Sequence, residues 1–346
     1  MTFPDYRWPS IRISASLVKA RFQLNLAGDN GIKKVAHPHE SARRRFGNYE
    51  IESKIGKGGM SEVYRARVLA GPRVGQTVAI KRLSAAMASD RSQLERFNQE
   101  ADLCRQLDHP NIVRVYEAGV LQGVHYIAME LIDGCDLGHL VRQLRQRGLE
   151  LPIDFAVYLV KVLLDALAYA HGARSPDGEL LAIVHGDVSP ANLFVSRSGE
   201  IKLGDFGIAK IATGPARVEE LQGKPYYLSP EVVAGGEVSE STDLWAAAVT
   251  LYELLTLEKP FRGATPEAVF AAITSGNFVS AKTLRTEIPA ALASALRKGL
   301  AASKADRFGS AGEFARTLEA NYDDTVGTPL AIAAVVRGLF GAIDLV

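Results

Sequence analysis

A chain of 346 residues, 47% hydrophobic and 23% charged, can bury one large core or two lobes and is too apolar to be disordered. Its 40 basic and 39 acidic residues leave a net charge of +1, which argues against the global basic field of a nucleic-acid binder. Two cysteines, Cys104 and Cys135, are too few for a disulfide framework and point to a reducing, cytoplasmic compartment.

In chain order, residues 1–47 come first and hold nine Lys or Arg against three Asp or Glu. Arg12, Lys19 and Arg21 break up any apolar run a signal peptide would need. The composition is weakly like a transit peptide, and a basic, poorly ordered extension is the preferred reading. From Tyr49 to Met129 the pattern is mostly strands, at Ile51–Ile55, Val63–Val68, Val78–Leu83 and Tyr126–Met129. Between the first two strands lies Gly56-Lys57-Gly58-Gly59-Met60-Ser61. A dinucleotide-binding turn would open a helix here, whereas strand-like residues follow, so the element is a β-hairpin with a glycine tip whose backbone can approach phosphates.

One helix interrupts the strands. Over Gln93–Leu107, apolar Leu94, Phe97, Ala101, Cys104 and Leu107 recur at helical spacing. Glu100, three residues from Phe97 and four from Cys104, falls within that apolar stripe and needs a cationic partner, for which Lys81 at the end of Val78–Ile80 is the nearest candidate. An ordinary ion pair and a functional one are equally compatible with these residues alone. Beyond Gly134 the chain turns helical, with Ile153–Ala170 long and apolar, then Leu244–Thr256, Glu267–Ser275, Ala290–Ala301 and Gly312–Asn321. The apolar tail from Pro329 to Ile343 contains Arg337 and is shorter than the ~20 residues of a membrane span, so it reads as an amphipathic helix on the body.

The densest signal lies at 185–207. His185-Gly186-Asp187 is followed by Asn192, and two short apolar runs, Leu193–Val195 and Ile201–Leu203, flank the turn-rich Ser196–Gly199 before Asp205-Phe206-Gly207. The runs read as a β-hairpin, which brings its outer ends together. Asn192 and Asp205 then offer an amide oxygen and a carboxylate at one place, suited to Mg²⁺ carrying nucleotide phosphates. Asp187 faces the same place as a candidate base.

With these motifs in order, the chain resembles a bacterial, eukaryotic-like serine/threonine protein kinase over Tyr49–Tyr322. The resemblance rests on the glycine-rich turn at Gly56–Val63, Val78-Ala79-Ile80-Lys81, Glu100, a hinge at Glu130–Gly134, His185-Gly186-Asp187 with Asn192, Asp205-Phe206-Gly207, Ser229-Pro230-Glu231, Asp243 with Trp245, and Arg307. It implies an α+β bilobal fold: a small, mainly antiparallel β N-lobe (48–129) with one key helix, a hinge (130–135) and a larger helical C-lobe (136–322), followed here by the amphipathic helix read from the apolar tail (323–346).

It also implies ATP, Mg²⁺ (with Mn²⁺ as an alternative) and protein substrates, with no nucleic acid and no membrane span; self-association stays open. Carried onto this chain, Lys81 holds the α- and β-phosphates and is positioned by Glu100. Asn192 and Asp205 bind the metal, and Asp187 orients the substrate hydroxyl. Ile55, Gly56, Lys57, Gly58, Gly59 and Val63 cover the nucleotide, while Ala79, Met129, Glu130, Ile132 and Phe194 line its base. Glu231 pairs with Arg307 to brace the lower lobe.

The chain departs from the family pattern at four places. Ser61 replaces a third loop glycine. Gly186 replaces an arginine that reads an activation-segment phosphate, and Thr213 is the only hydroxyl side chain between Gly207 and Gly223. Together these imply activity that does not depend on segment phosphorylation. Ser189 replaces a catalytic-loop lysine, and Lys224 replaces a threonine, which makes Lys224 a candidate to supply the displaced charge. The alternative function is a pseudokinase that binds nucleotide and regulates partners. A small-molecule phosphotransferase is a third reading, disfavoured by Ser229-Pro230-Glu231, a peptide-docking feature in the family.

Overall fold

A computed structural model of the chain describes residues 44–58, 61–84, 87, 90–175, 177–206, 225–320 and 328–340. Six strands form one antiparallel sheet: β1 (Arg44–Phe46), β2 (Tyr49–Lys57), β3 (Ser61–Val68), β4 (Thr77–Leu83), β5 (Val115–Leu121) and β6 (Val124–Glu130), in the order β1-β2-β3-β4-β6-β5. Alternation along β3 and β4 puts Ala66, Val68, Val78 and Ile80 into a small core with Phe46, Tyr49 and Ala128. The sheet's other face packs helix α1 (Arg91–Cys104) through Leu83, Phe97, Ala101 and Ile127.

The second lobe is helical and holds the main core. Its helices are α2 (Leu137–Gln146), α3 (Ile153–His171), α4 (Pro230–Val233), α5 (Glu240–Thr256), α6 (Pro266–Ser275), α7 (Ala281–Leu284), α8 (Ala290–Gly299), α9 (Ala311–Glu319) and α10 (Pro329–Phe340). Helices α3 and α5 are apolar on nearly every face, so each is surrounded by other elements rather than lying on the surface. Asp136 caps α2 by accepting from the His139 N–H at 2.8 Å. A second sheet of three short strands, β7 (Gly134–Asp136), β8 (Leu193–Ser196) and β9 (Ile201–Leu203), joins this lobe to the hinge.

The expected strands and helices are present, with some boundaries displaced. Strands β1, β5 and β7 were not foreseen, and β1 lies inside the stretch read as an extension. The α1 helix stops at Cys104 rather than Leu107. Helix α5 begins at Glu240, four residues earlier than its apolar run, because Ser239 and Thr242 cap each other and carry the polar first turn into the helix. Residues 1–43 of the basic extension lie outside the described residues. Among the described residues no helix is long and apolar enough to cross a membrane.

Candidate active site

Hairpin β2–β3 closes the site from above. Lys57 pairs with Glu62 and Gly56 with Val63, and the Gly58 N–H donates to the Ser61 carbonyl at 2.8 Å. A Cβ built on Gly56 would sit 3.5 Å from Val63 and one on Gly58 would sit 3.7 Å from Ser61, both ordinary contacts. Packing within the protein therefore does not require glycine at either place. Space kept clear for a ligand's phosphates is a reason that remains. Gly59 lies outside the described residues.

Strand β4 carries Lys81 beside Val63 on one side and Ile127 on the other. Its ammonium donates to Glu100 Oε1 at 2.7 Å and to Asp205 Oδ1 at 3.0 Å. Lys81 and Glu100 are 12% and 13% exposed, whereas Asp205 is 43% exposed, so the pair is sheltered and the third member faces outward. Burial works against the charge on Lys81, but the Asp205 and Glu100 carboxylates outweigh it and hold the ammonium well above the ordinary lysine range. The sequence pairs Lys81 with Glu100 alone; the fold shares it with Asp205. Cys104, one turn beyond Glu100, stays a thiol because burial pushes it up, which disqualifies it as a nucleophile.

Below this cluster a buried network fixes the loop that bears Asp187. Asp243, at the start of α5, accepts from the His185 N–H at 2.8 Å through Oδ2 and from the Gly186 N–H at 2.8 Å through Oδ1. His171 Nε2 lies 2.9 Å from the same Oδ2. The His185 Nδ1 accepts from the Asp187 N–H at 3.2 Å, so Nε2 carries the proton and donates to the Gly204 carbonyl at 3.0 Å. Phe206 stacks obliquely on that imidazole, with centroids 4.6 Å apart. Asn192 donates its amide to the Asp187 carbonyl at 2.8 Å and to Asp187 Oδ2 at 3.1 Å. The ladder between Leu193 and Leu203 and the Gly204 N–H to Asn192 carbonyl bond at 2.9 Å then carry the chain across to Asp205.

The fold thus gathers Lys81, Glu100 and Asp205 in one cluster and Asp187 with Asn192 in another, joined by the β8–β9 hairpin. Ala79 pairs with Met129 across the sheet, and a Cβ on Gly204 would come 3.0 Å from the Phe194 ring. Among the described residues no three His, Cys, Asp or Glu side chains gather to hold a metal by themselves. One carboxylate and one amide oxygen suit a hard cation that brings phosphate oxygens as its remaining ligands. Lys224 lies outside the described residues. Sequence reasoning missed His171 and the hydrogen-bonding part played by Asp243; an acid opening an otherwise apolar helix was the available signal. Arg307 and Glu231 meet as expected, in two parallel bonds of 2.9 and 2.7 Å.

The two lobes, the hinge and this pair of clusters define a bilobal protein kinase. The protein kinase domain family matches residues 49–317, and the chain belongs to it, within the bacterial group of eukaryotic-like serine/threonine kinases. It is 36% identical over 313 residues to the probable serine/threonine-protein kinase SCO3848 of Streptomyces coelicolor, an alignment covering 88% of this chain and 44% of the relative. It is 33% identical over 303 residues to the tyrosine-protein kinase MasK of Myxococcus xanthus, covering 86% and 46%. The crystal structure of the Mycobacterium tuberculosis PknI kinase domain aligns with a TM-score of 0.61 at 29% identity, covering 81% of this chain and 98% of that one. The chain spans less than half the length of these two curated relatives.

Proposed function

We propose that the chain transfers the γ-phosphoryl group of ATP to serine or threonine hydroxyls of protein substrates. The observation that carries this reading is Lys81 bonded at once to Glu100 and Asp205, a sheltered cation on the strand that pairs with the glycine-tipped hairpin. Lys81 meets the α- and β-phosphates, and Glu100 keeps its ammonium from swinging away. Ile55, Gly56, Lys57, Gly58, Gly59 and Val63 cover the phosphates. Ala79, Met129, Phe194 and the backbone of Glu130 and Ile132 enclose the base. Asp187 receives the substrate hydroxyl, and its carboxylate is aimed by the Asn192 amide, so attack needs little rearrangement. Asp205 and Asn192 are the oxygen ligands for Mg²⁺, or Mn²⁺ in its place. The metal, when bound, offsets charge that builds on the phosphate oxygens.

Two further features belong to this reading. Gly186 offers no guanidinium to a phosphate on the segment after Phe206, so that segment works without phosphorylation. Ser189 offers no cation, and Lys224 supplies it. Ser189 also supports the second reading, an inert nucleotide-binding pseudokinase, because a buried serine there leaves the catalytic loop without the family's lysine. Radiolabelled ATP with Mg²⁺ separates the two. The parent should label itself or a general protein acceptor on serine or threonine by phosphoamino-acid analysis. Asp187→Asn and Asp205→Ala, still folded by circular dichroism, should each lose about 10² to 10³ in rate. Unchanged turnover in folded Asp205→Ala sinks the mechanism; a silent parent that binds ATP makes the pseudokinase reading correct.

A further inference from the structure

Helix α10 lies beyond the region the kinase family matches, which ends at residue 317. It nevertheless places Ile332, Val335, Val336 and Leu339 in the main core. Its seat is the turn of the β8–β9 hairpin. A Cβ on Gly199 would come within 1.8 Å of the Pro329 carbonyl oxygen, and Gly199 holds a φ of +90° that side chains rarely adopt. Turn and helix therefore meet backbone to backbone. At the helix's other end, the Phe340 ring lies 5.0 Å from that of His139 in α2, and Arg337 Nη1 donates to the Arg197 carbonyl at 3.1 Å.

The same hairpin grips the hinge at both ends. Lys202 of β9 pairs with Glu130 at 2.8 Å. The Arg197 N–H donates to the Asp133 carbonyl at 2.8 Å, and Arg197 Nε lies 3.4 Å from Asp133 Oδ1. Strand β7, which continues the hinge, ladders onto β8 through Gly134, Cys135 and Asp136. A hairpin of four and three residues has little stability of its own. Its turn is closed by the Ser196 N–H to Glu200 carbonyl bond at 2.8 Å and the Gly199 N–H to Ser196 carbonyl bond at 3.0 Å, and the helix lying across it adds an outside brace.

We infer that α10 is a positioning element for nucleotide binding: by clamping the β8–β9 turn it fixes the hinge backbone at Glu130–Ile132 without touching the nucleotide. This rests on the nucleotide-site reading above. A clamp of this kind acts on the fraction of molecules whose hinge is competent. Loosening it raises the apparent dissociation constant in proportion and leaves the transfer step alone. Residues that act this way belong to the helix's inner face, such as Val336, and to Arg337 at its rim.

The test uses the full chain with Val336→Ala, Arg337→Ala and Arg337→Lys. In the protein without nucleotide, amide hydrogen exchange at residues 131–134 should quicken about threefold or more in the two alanine variants, with exchange in β2–β4 unchanged. The dissociation constant for ATP with Mg²⁺, by calorimetry, and KM for ATP should rise about threefold or more with kcat within twofold of the parent. Arg337→Lys, which still donates to the Arg197 carbonyl, should stay with the parent. If Val336→Ala does not fold, Arg337→Ala, at an exposed position, decides alone. Unchanged hinge exchange, or a fall in melting temperature or kcat with KM unchanged, overturns the inference. Quickened hinge exchange in a chain whose parent binds no ATP retains the clamp and defeats the nucleotide reading instead.

Discussion

The two clusters that flank Asp187 are built on opposite principles. Above it, Lys81, Glu100 and Asp205 form an ionic group with one member 43% exposed. Below it, Asp243, His171 and His185 are buried, and the Asp243 carboxylate is saturated by two backbone N–H groups and an imidazole. An ion pair with one member open to solvent can exchange that partner. A charge whose task is to hold a loop still is most effective where nothing can compete with it.

The largest effect should come from breaking the lower cluster. Asp243→Ala leaves two buried N–H groups and a histidine unpaired, and should cost about 3 to 5 kcal/mol of stability by urea denaturation. Activity should vanish with it. A loss under 1 kcal/mol would show that water replaces the carboxylate and that the lower cluster is as exchangeable as the upper one.

A charge acting only on the transfer step should show in rate and not in stability. If Lys224 supplies the charge missing at Ser189, Lys224→Ala should lower kcat about tenfold, equivalent to about 1.4 kcal/mol of barrier, with ATP affinity nearly unchanged. Adding Ser189→Lys should restore part of that loss, since two groups sharing one task couple. Turnover equal to the parent's in Lys224→Ala removes the compensation.

The smallest change is expected at Thr213. Thr213→Ala, and separately phosphatase treatment, should alter kcat by less than about threefold, because position 186 has no guanidinium to receive a phosphate. A large drop in either measurement would reveal another cation reading the segment.

How much of this was legible in the sequence differs between the clusters. The pairing of Lys81 with Glu100 follows from an acid on an apolar helical stripe, and the closing of Asn192 onto Gly204, next in the chain to Asp205, follows from a hairpin with a short turn. The second bond of Lys81, to Asp205, joins residues 124 apart and depends on how the lobes meet. Strand β5 escaped notice because its half-exposed sequence shows no clean alternation, and β1 and β7 are three residues each. The fit of Gly199 to Pro329 was invisible for a different reason. A glycine in a turn looks the same whether it serves the turn alone or a helix arriving 130 residues later.

Gly186 carries a consequence for how this catalytic loop could change. It holds a φ of +71° while its own N–H and that of His185 are both bonded to the Asp243 carboxylate. Any side chain placed there would be forced into a left-handed backbone at about 1 to 2 kcal/mol. Glycine is therefore the residue this loop geometry favours, and placing an arginine there would need a stabilising change elsewhere to offset the strain.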